Sequence, residues 1–294
     1  MENDFLRIIH NFLSEVNNGQ WDTLHSYLRG ASIKHLADGD PSKVWGIAAT
    51  NKERKPRDSS LTGTKLIEYF RVNSDYLNKV PSRIKNALFM SLNKSYARDY
   101  GNLYLIFLRK SDRINIKYTD GDTLGNIDGV TRPFLTWNGK ISPNDSKLLS
   151  MKQLPMFKVF YNIVSLNKRV DDLLEWLTKN KITLADFFKE KTYVEHIIKH
   201  TDDSIKTMVY TIPYMFVSLY KSIEKYLNCW NSIWDGNYSK HYEIIANVKD
   251  YLYIRNDTFI NYLRILESGE VVLYEKYNTI NEWKNNWAID QEII

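Results

Sequence analysis

Residues 100–140 constrain this chain most, because they alone read as sheet while the segments around them repeat every three to four residues. Two β-prone runs, 102–108 and 113–119, are joined by a short polar turn at Lys110, Ser111 and Asp112. The sheet pattern extends through 132–137 and closes at the turn signal Asn138-Gly139.

The flanking segments read as helix. Phe5, Ile8, Ile9, Phe12, Leu13 and Val16 form one stripe, which Asn17-Asn18-Gly19 ends. Trp21, Leu24 and Leu28 suggest a second short helix, and 30–64 is an irregular stretch. Two helices are expected over 65–79 and 81–94, the second opened by Pro81, whose missing N–H costs nothing at the first helical position. Met156, Phe160, Ile163, Leu166, Val170, Leu173 and Leu177 predict a single long helix. Thr183 and Asp186 have the spacing of a capping box for a helix over 184–200. Two more helices are expected over 204–234, apolar enough to be central, and 239–266; a late strand over 270–277 and a terminal helix bearing Trp283 and Trp287 follow. The expected fold class is α+β. Residues 1–150 would be a mixed basic part with a central β-meander, and 151–294 a helical bundle with one late strand. A late strand returning to the central sheet would fuse the two into one domain.

A chain of 294 residues with 43% hydrophobic and 14% aromatic content can bury a real core, which excludes wholesale disorder. The only cysteine is Cys229, so neither an internal disulfide nor a thiolate-rich metal site is available. The first residues lack the basic lead and apolar run of a secretory signal. The longest uncharged apolar stretch, 207–220, is shorter than a membrane span. The expectation is a soluble, cytoplasmic protein with no membrane partner.

Charge directs the functional reading. Residues 51–118 hold 15 Lys/Arg and 6 Asp/Glu, a net +9, although the whole chain carries only +5. A polyanion should meet this segment. Lys52, Arg54, Lys55 and Arg57 form one cluster, while Arg109, Arg113 and Lys117 flank or lie on the central hairpin. Strand alternation would put Arg113 and Lys117 on one face, with Ile114, Ile116 and Tyr118 on the other. These seven residues are the candidate phosphate contacts for nucleic acid or a nucleotide-like ligand.

The second β run empties into an acidic loop holding Asp120, Asp122 and Asp128. It departs from a calcium loop, because Leu124 and Thr131 stand where an oxygen ligand and a bidentate glutamate belong. Asp120 and Asp122 remain candidate ligands for Mg2+, which keeps several waters and takes other ligands from substrate. With Asp128 they are the candidate catalytic carboxylates, and they equally suit an ordinary strand connection. Asn115 stands two residues before Lys117, where a metal-dependent nuclease strand often carries an acid.

His196 and His200, four apart, offer an alternative metal pair on one helical face, although Ile197 replaces the glutamate of a zinc protease. Phosphate-loop, dinucleotide and nucleophile-elbow signatures are absent, which counts against the corresponding ATPase, redox and hydrolase mechanisms. Two main readings therefore stand. One is binding, with metal-dependent processing, of nucleic acid or another phosphate-rich ligand; whether the chain is an enzyme stays open. The other is a protein–protein interaction module using the stripe over 156–177 and the Trp283/Trp287 pair.

Overall fold

A computed structural model of the chain describes residues 2–18, 20–31, 44–50, 52–53, 58–91, 97–98, 102–119, 123–135, 146–166, 170–200, 211–232, 243–259 and 261. The α+β class holds: helices and small antiparallel sheets are both present. Packing divides the chain into two interleaved units. Unit 1 is Met1–Arg54, Lys85–Gly121 and Ser232–Ile294; unit 2 is Lys55–Ile84 and Asp122–Asn231. The expected boundary at 150 falls inside the second segment of unit 2, because long-range strand pairing gathers distant segments into unit 1.

Unit 1 begins with α1 (Glu2–Asn18), whose Ile9, Phe12, Leu13 and Val16 are buried as the stripe predicts. Gln20, at a positive φ of 56°, turns the chain into β1 (Trp21–Ala31). This segment was expected to be helical. Pairing with β4 (Asn102–Arg109) along most of its length overrides the weak helical spacing of Trp21, Leu24 and Leu28. β2 (Trp45–Ala49) follows, then β3 (Ala87–Met90). After β4 comes a 3-10 helix (Lys110–Asn115), then β5 (Ile116–Thr119), β6 (Glu243–Asn247) and β7 (Asp250–Arg255). The described residues 81–91 and 243–255 are thus not the expected helices, whereas 256–259 is helical. Their short apolar runs, Ala87–Met90 and Glu243–Asn247, are strands that pair with each other.

The strands make two antiparallel sheets, ordered β1-β4-β7-β2 and β3-β6-β5. Among the described residues, the four-stranded sheet contributes buried side chains to a core on each face. Leu105, Phe107, Leu252 and Ile254 pack with the α1 stripe, and Phe12 meets Phe107 edge-on at 5.6 Å. On the opposite face Tyr104, Ile106, Leu108, Tyr251 and Tyr253 join Leu88, Met90, Ile116, Tyr118, Ile244 and Ala246 of the smaller sheet in one core. Alternation along each strand produces both layers. Val248 and Lys249 carry the chain from one sheet to the other. The corner is pinned where the Val248 N–H donates to the Asn86 carbonyl at 3.1 Å and the Thr50 N–H to that of Lys249 at 2.9 Å.

Unit 2 is helical: α2 (Asp58–Val72), α3 (Leu124–Leu135), α4 (Ser146–Met151), α5 (Pro155–Ser165), α6 (Val170–Asn180), α7 (Leu184–Lys199) and α8 (Thr211–Asn228). The sheet expected to continue over 132–137 meets α3 as far as Leu135. The long helix expected from Met156 to Leu177 is two helices, with Leu166 exposed at the end of the first. α8 packs on α2, α3, α5 and α7, as its apolar sequence predicts. Phe70, Phe157, Phe160, Phe187 and Phe216 fill the centre, with ring centroids 4.9 Å apart for Phe187 and Phe216. The capping box at α7 is present: the Asp186 N–H donates to Thr183 Oγ1 at 3.2 Å, and the Thr183 N–H donates to Asp186 Oδ2 at 3.0 Å.

Leu154, which precedes α5, supplies no side-chain cap. Glu190 of α7 fills that role across the bundle, accepting from the N–H groups of Met156 at 3.1 Å and Phe157 at 2.8 Å. Burial nevertheless pushes its carboxyl above the ordinary glutamate range. Glu190→Ala leaves two helix-terminal donors without their acceptor and should cost unit 2 about 1–3 kcal/mol. Urea unfolding monitored by helix signal measures this.

Among the described residues no helix is long and apolar enough to cross a membrane. The Asn138-Gly139 turn, the late strand over 270–277 and the Trp283/Trp287 pair lie outside the described residues.

Candidate functional site

β5 carries an unusual side chain. Ile116 and Tyr118 face the inter-sheet core, so alternation turns Lys117 and Thr119 to the outer face of the small sheet. Lys117 is only 8% exposed. Its Nζ donates to Ser232 Oγ at 2.7 Å, a neutral and itself exposed partner. Burial pushes the ammonium pKa down, since desolvation penalises the charged form. A lysine has three N–H donors, and one neutral hydroxyl offsets little of the cost of removing its charge from water.

β6 adds an acid to the same face. Lys117 lies opposite Ile245 and Thr119 opposite Glu243. Lys117 and Glu243 are therefore diagonal neighbours, about 7 Å apart in antiparallel sheets and within reach of a lysine stem. Glu243 is itself buried. The outer face thus brings together an amine, a carboxylate and the Thr119 hydroxyl, at the strand end from which the chain runs on to Asp120. An ordinary solvated sheet face would leave such groups exposed.

The sequence reading singled out Lys117 but did not place Glu243 or Ser232 beside it. The helix expected over 239–266 hid Glu243. A signal was present, however, because Ile244, Ile245, Val248, Tyr251, Tyr253 and Ile254 give this stretch strand-type enrichment.

The other candidates fare differently. Arg113 lies within the 3-10 helix, so the expected strand face shared with Lys117 does not form. Proximity to the preceding turn favours that tighter local conformation over ladder pairing. Arg109 is engaged locally. Its Nε and Nη2 donate to Asp250 at 2.8 and 2.6 Å, and its guanidinium stands 4.4 Å from the Trp21 ring centroid. The hydrogen bond raises the Arg109 pKa further and holds the Asp250 carboxyl below the ordinary aspartate range. This bidentate, stacked arrangement holds β4 to β7, and its charge is neutralised in place. Lys52 is exposed, while Arg54, Lys55 and Arg57 lie outside the described residues.

Asp120 and Asp122 also lie outside them. Asp128 is an exposed residue of α3 in unit 2, so the second half of the acidic segment is helix rather than loop. The N–H groups of Asn126 and Ile127 already donate to the Thr123 carbonyl, which starts that helix. His196 and His200 are exposed on α7, with ring centroids 4.4 Å apart. Among the described residues, no group of three or more His, Cys, Asp or Glu is arranged to hold a metal. Of the stripe offered for a protein partner, Met156, Phe160, Ile163, Leu173 and Leu177 are core side chains, while Leu166 is exposed and Val170 half-buried. Comparison of the chain with protein-family models, with curated proteins and with solved structures gives no match, so the site is read from its own residues.

Proposed function

We propose that the protein binds nucleic acid or another phosphate-rich ligand through unit 1, with Lys117 as the anion-seeking group at the centre of the site. The observation that carries this reading is a buried, desolvated lysine whose hydrogen-bond partner among the described residues is one neutral hydroxyl, on the sheet face of Thr119 and Glu243. A phosphate oxygen would meet the ammonium with a charge-assisted hydrogen bond and offset its desolvation. Exposed Lys52, its sequence neighbour Arg54 and the basic residues of 85–118, all in unit 1, would add attraction without sequence discrimination. Arg109 is left out, because Asp250 already holds it.

Metal-dependent processing extends the same reading. Asp120 and Asp122 follow β5 directly in sequence and would hold Mg2+. When bound, that ion would supply charge stabilisation at a phosphoryl group and an activated water. The chain's own part is to present Lys117 and Glu243 on one rigid sheet face.

Fluorescence anisotropy with labelled mixed-sequence DNA and RNA, across a salt series with and without magnesium, tests the reading. Binding should weaken steeply and log-linearly with salt. Shortened probes in magnesium alone would support the catalytic extension. No binding at low salt would overturn the proposal.

A further inference from the structure

α7 has a use that the phosphate reading does not absorb. Its buried face is formed by Phe187, Val194 and Ile198. His196 and His200, spaced i and i+4, lie outside that face and are exposed. Their imidazole centroids are 4.4 Å apart with a 57° tilt. The backbone fixes this proximity: His200 is the C-cap, and its N–H donates to the His196 carbonyl at 3.2 Å. The end of the helix, with its outward carbonyls, favours positive charge. The nearest acid in sequence is committed elsewhere, since Glu195 accepts from Lys191 at 2.6 Å and Lys221 at 2.8 Å.

We propose that His196 and His200 form an open, two-imidazole surface site for a borderline transition-metal ion, of the Zn2+, Ni2+ or Cu2+ class. Two nitrogen donors on one helical turn match this class, whereas Mg2+ and Ca2+ require oxygen ligands. Among the described residues no third ligand residue joins the pair, so the two imidazoles leave coordination positions open to water or another donor. Affinity should rise toward Cu2+, following the general order for nitrogen sites.

The test uses the full chain without a histidine tag, stripped of metal and titrated calorimetrically with Zn2+, Ni2+, Cu2+ and Mg2+. The wild type should take one equivalent of each transition metal at this site and no Mg2+. His196→Ala and His200→Ala should each weaken that binding roughly 100-fold, since the second imidazole otherwise binds intramolecularly. His10→Ala, an exposed position on α1, should change nothing. Equal affinity in the wild type and both α7 variants, or no binding by the wild type, would overturn the proposal. Circular dichroism of the variants separates lost ligands from lost fold. The outcome is independent of phosphate binding, which the oligonucleotide titrations read separately.

Discussion

Gly63→Leu should unfold unit 2 under conditions where the wild type is fully folded. Gly63 lies inside α2 where that helix crosses α3. A Cβ there would stand 2.8 Å from the Ile127 carbonyl oxygen and 3.0 Å from the side-chain methyls of both Ile127 and Thr131. The closest of these atoms is backbone, so no rotamer change clears it and the two helices must separate. Gly63→Ala gains about 1 kcal/mol in helix propensity yet should still be destabilising, because overpacking costs about 1–3 kcal/mol. A whole leucine side chain should cost about 3 kcal/mol or more. Gly125, in the first turn of α3, supplies the contrast. A Cβ at Gly125 meets nothing within 4 Å, so Gly125→Ala should be neutral or stabilising by up to about 1 kcal/mol. Thermal melts of the three variants check the opposite signs. If Gly63→Ala and Gly125→Ala behave alike, the α2–α3 crossing described here is wrong.

Lys117→Met should abolish or strongly weaken ligand binding while leaving the fold as stable as the wild type, or more so. Methionine has nearly the shape of the lysine stem, and it removes a desolvated charge whose partner, Ser232, is exposed enough to turn to water. The expected gain is about 1 kcal/mol. The opposite sign would be equally informative. If Lys117 serves the fold rather than a ligand, its removal should destabilise unit 1 instead.

A pH series sharpens this comparison. The folded state holds the Lys117 pKa below its unfolded value, so the unfolded chain binds more protons there. Wild-type stability should therefore rise with pH between the lowered folded value and the ordinary lysine value of about 10.4. The advantage of Lys117→Met should shrink over the same interval.

Local periodicity and capping made some of this structure legible in the sequence. The α1 stripe placed Ile9, Phe12, Leu13 and Val16 in the core, and the Thr183/Asp186 spacing marked the start of α7. The β-prone apolar run of β4 was equally clear. Strands that depend on distant partners were missed. β1 and β6 are strands because β4, β3 and β5 lie beside them, and short apolar runs carry no period that separates strand from helix. The candidate site divides along the same line. Lys117 stood out by its charge on a β-prone run. Its burial, its Ser232 partner and its place beside Glu243 come from pairing between residues more than a hundred positions apart.

The most direct measurement is the affinity of wild type and Lys117→Met for one labelled mixed-sequence oligonucleotide, titrated side by side from low to physiological salt. Wild-type affinity should fall linearly on logarithmic axes. The variant should bind about tenfold more weakly or worse at every salt concentration, reflecting loss of a charged hydrogen bond. Equal affinity in the two proteins, or no binding by either at low salt, would contradict a phosphate site centred on Lys117.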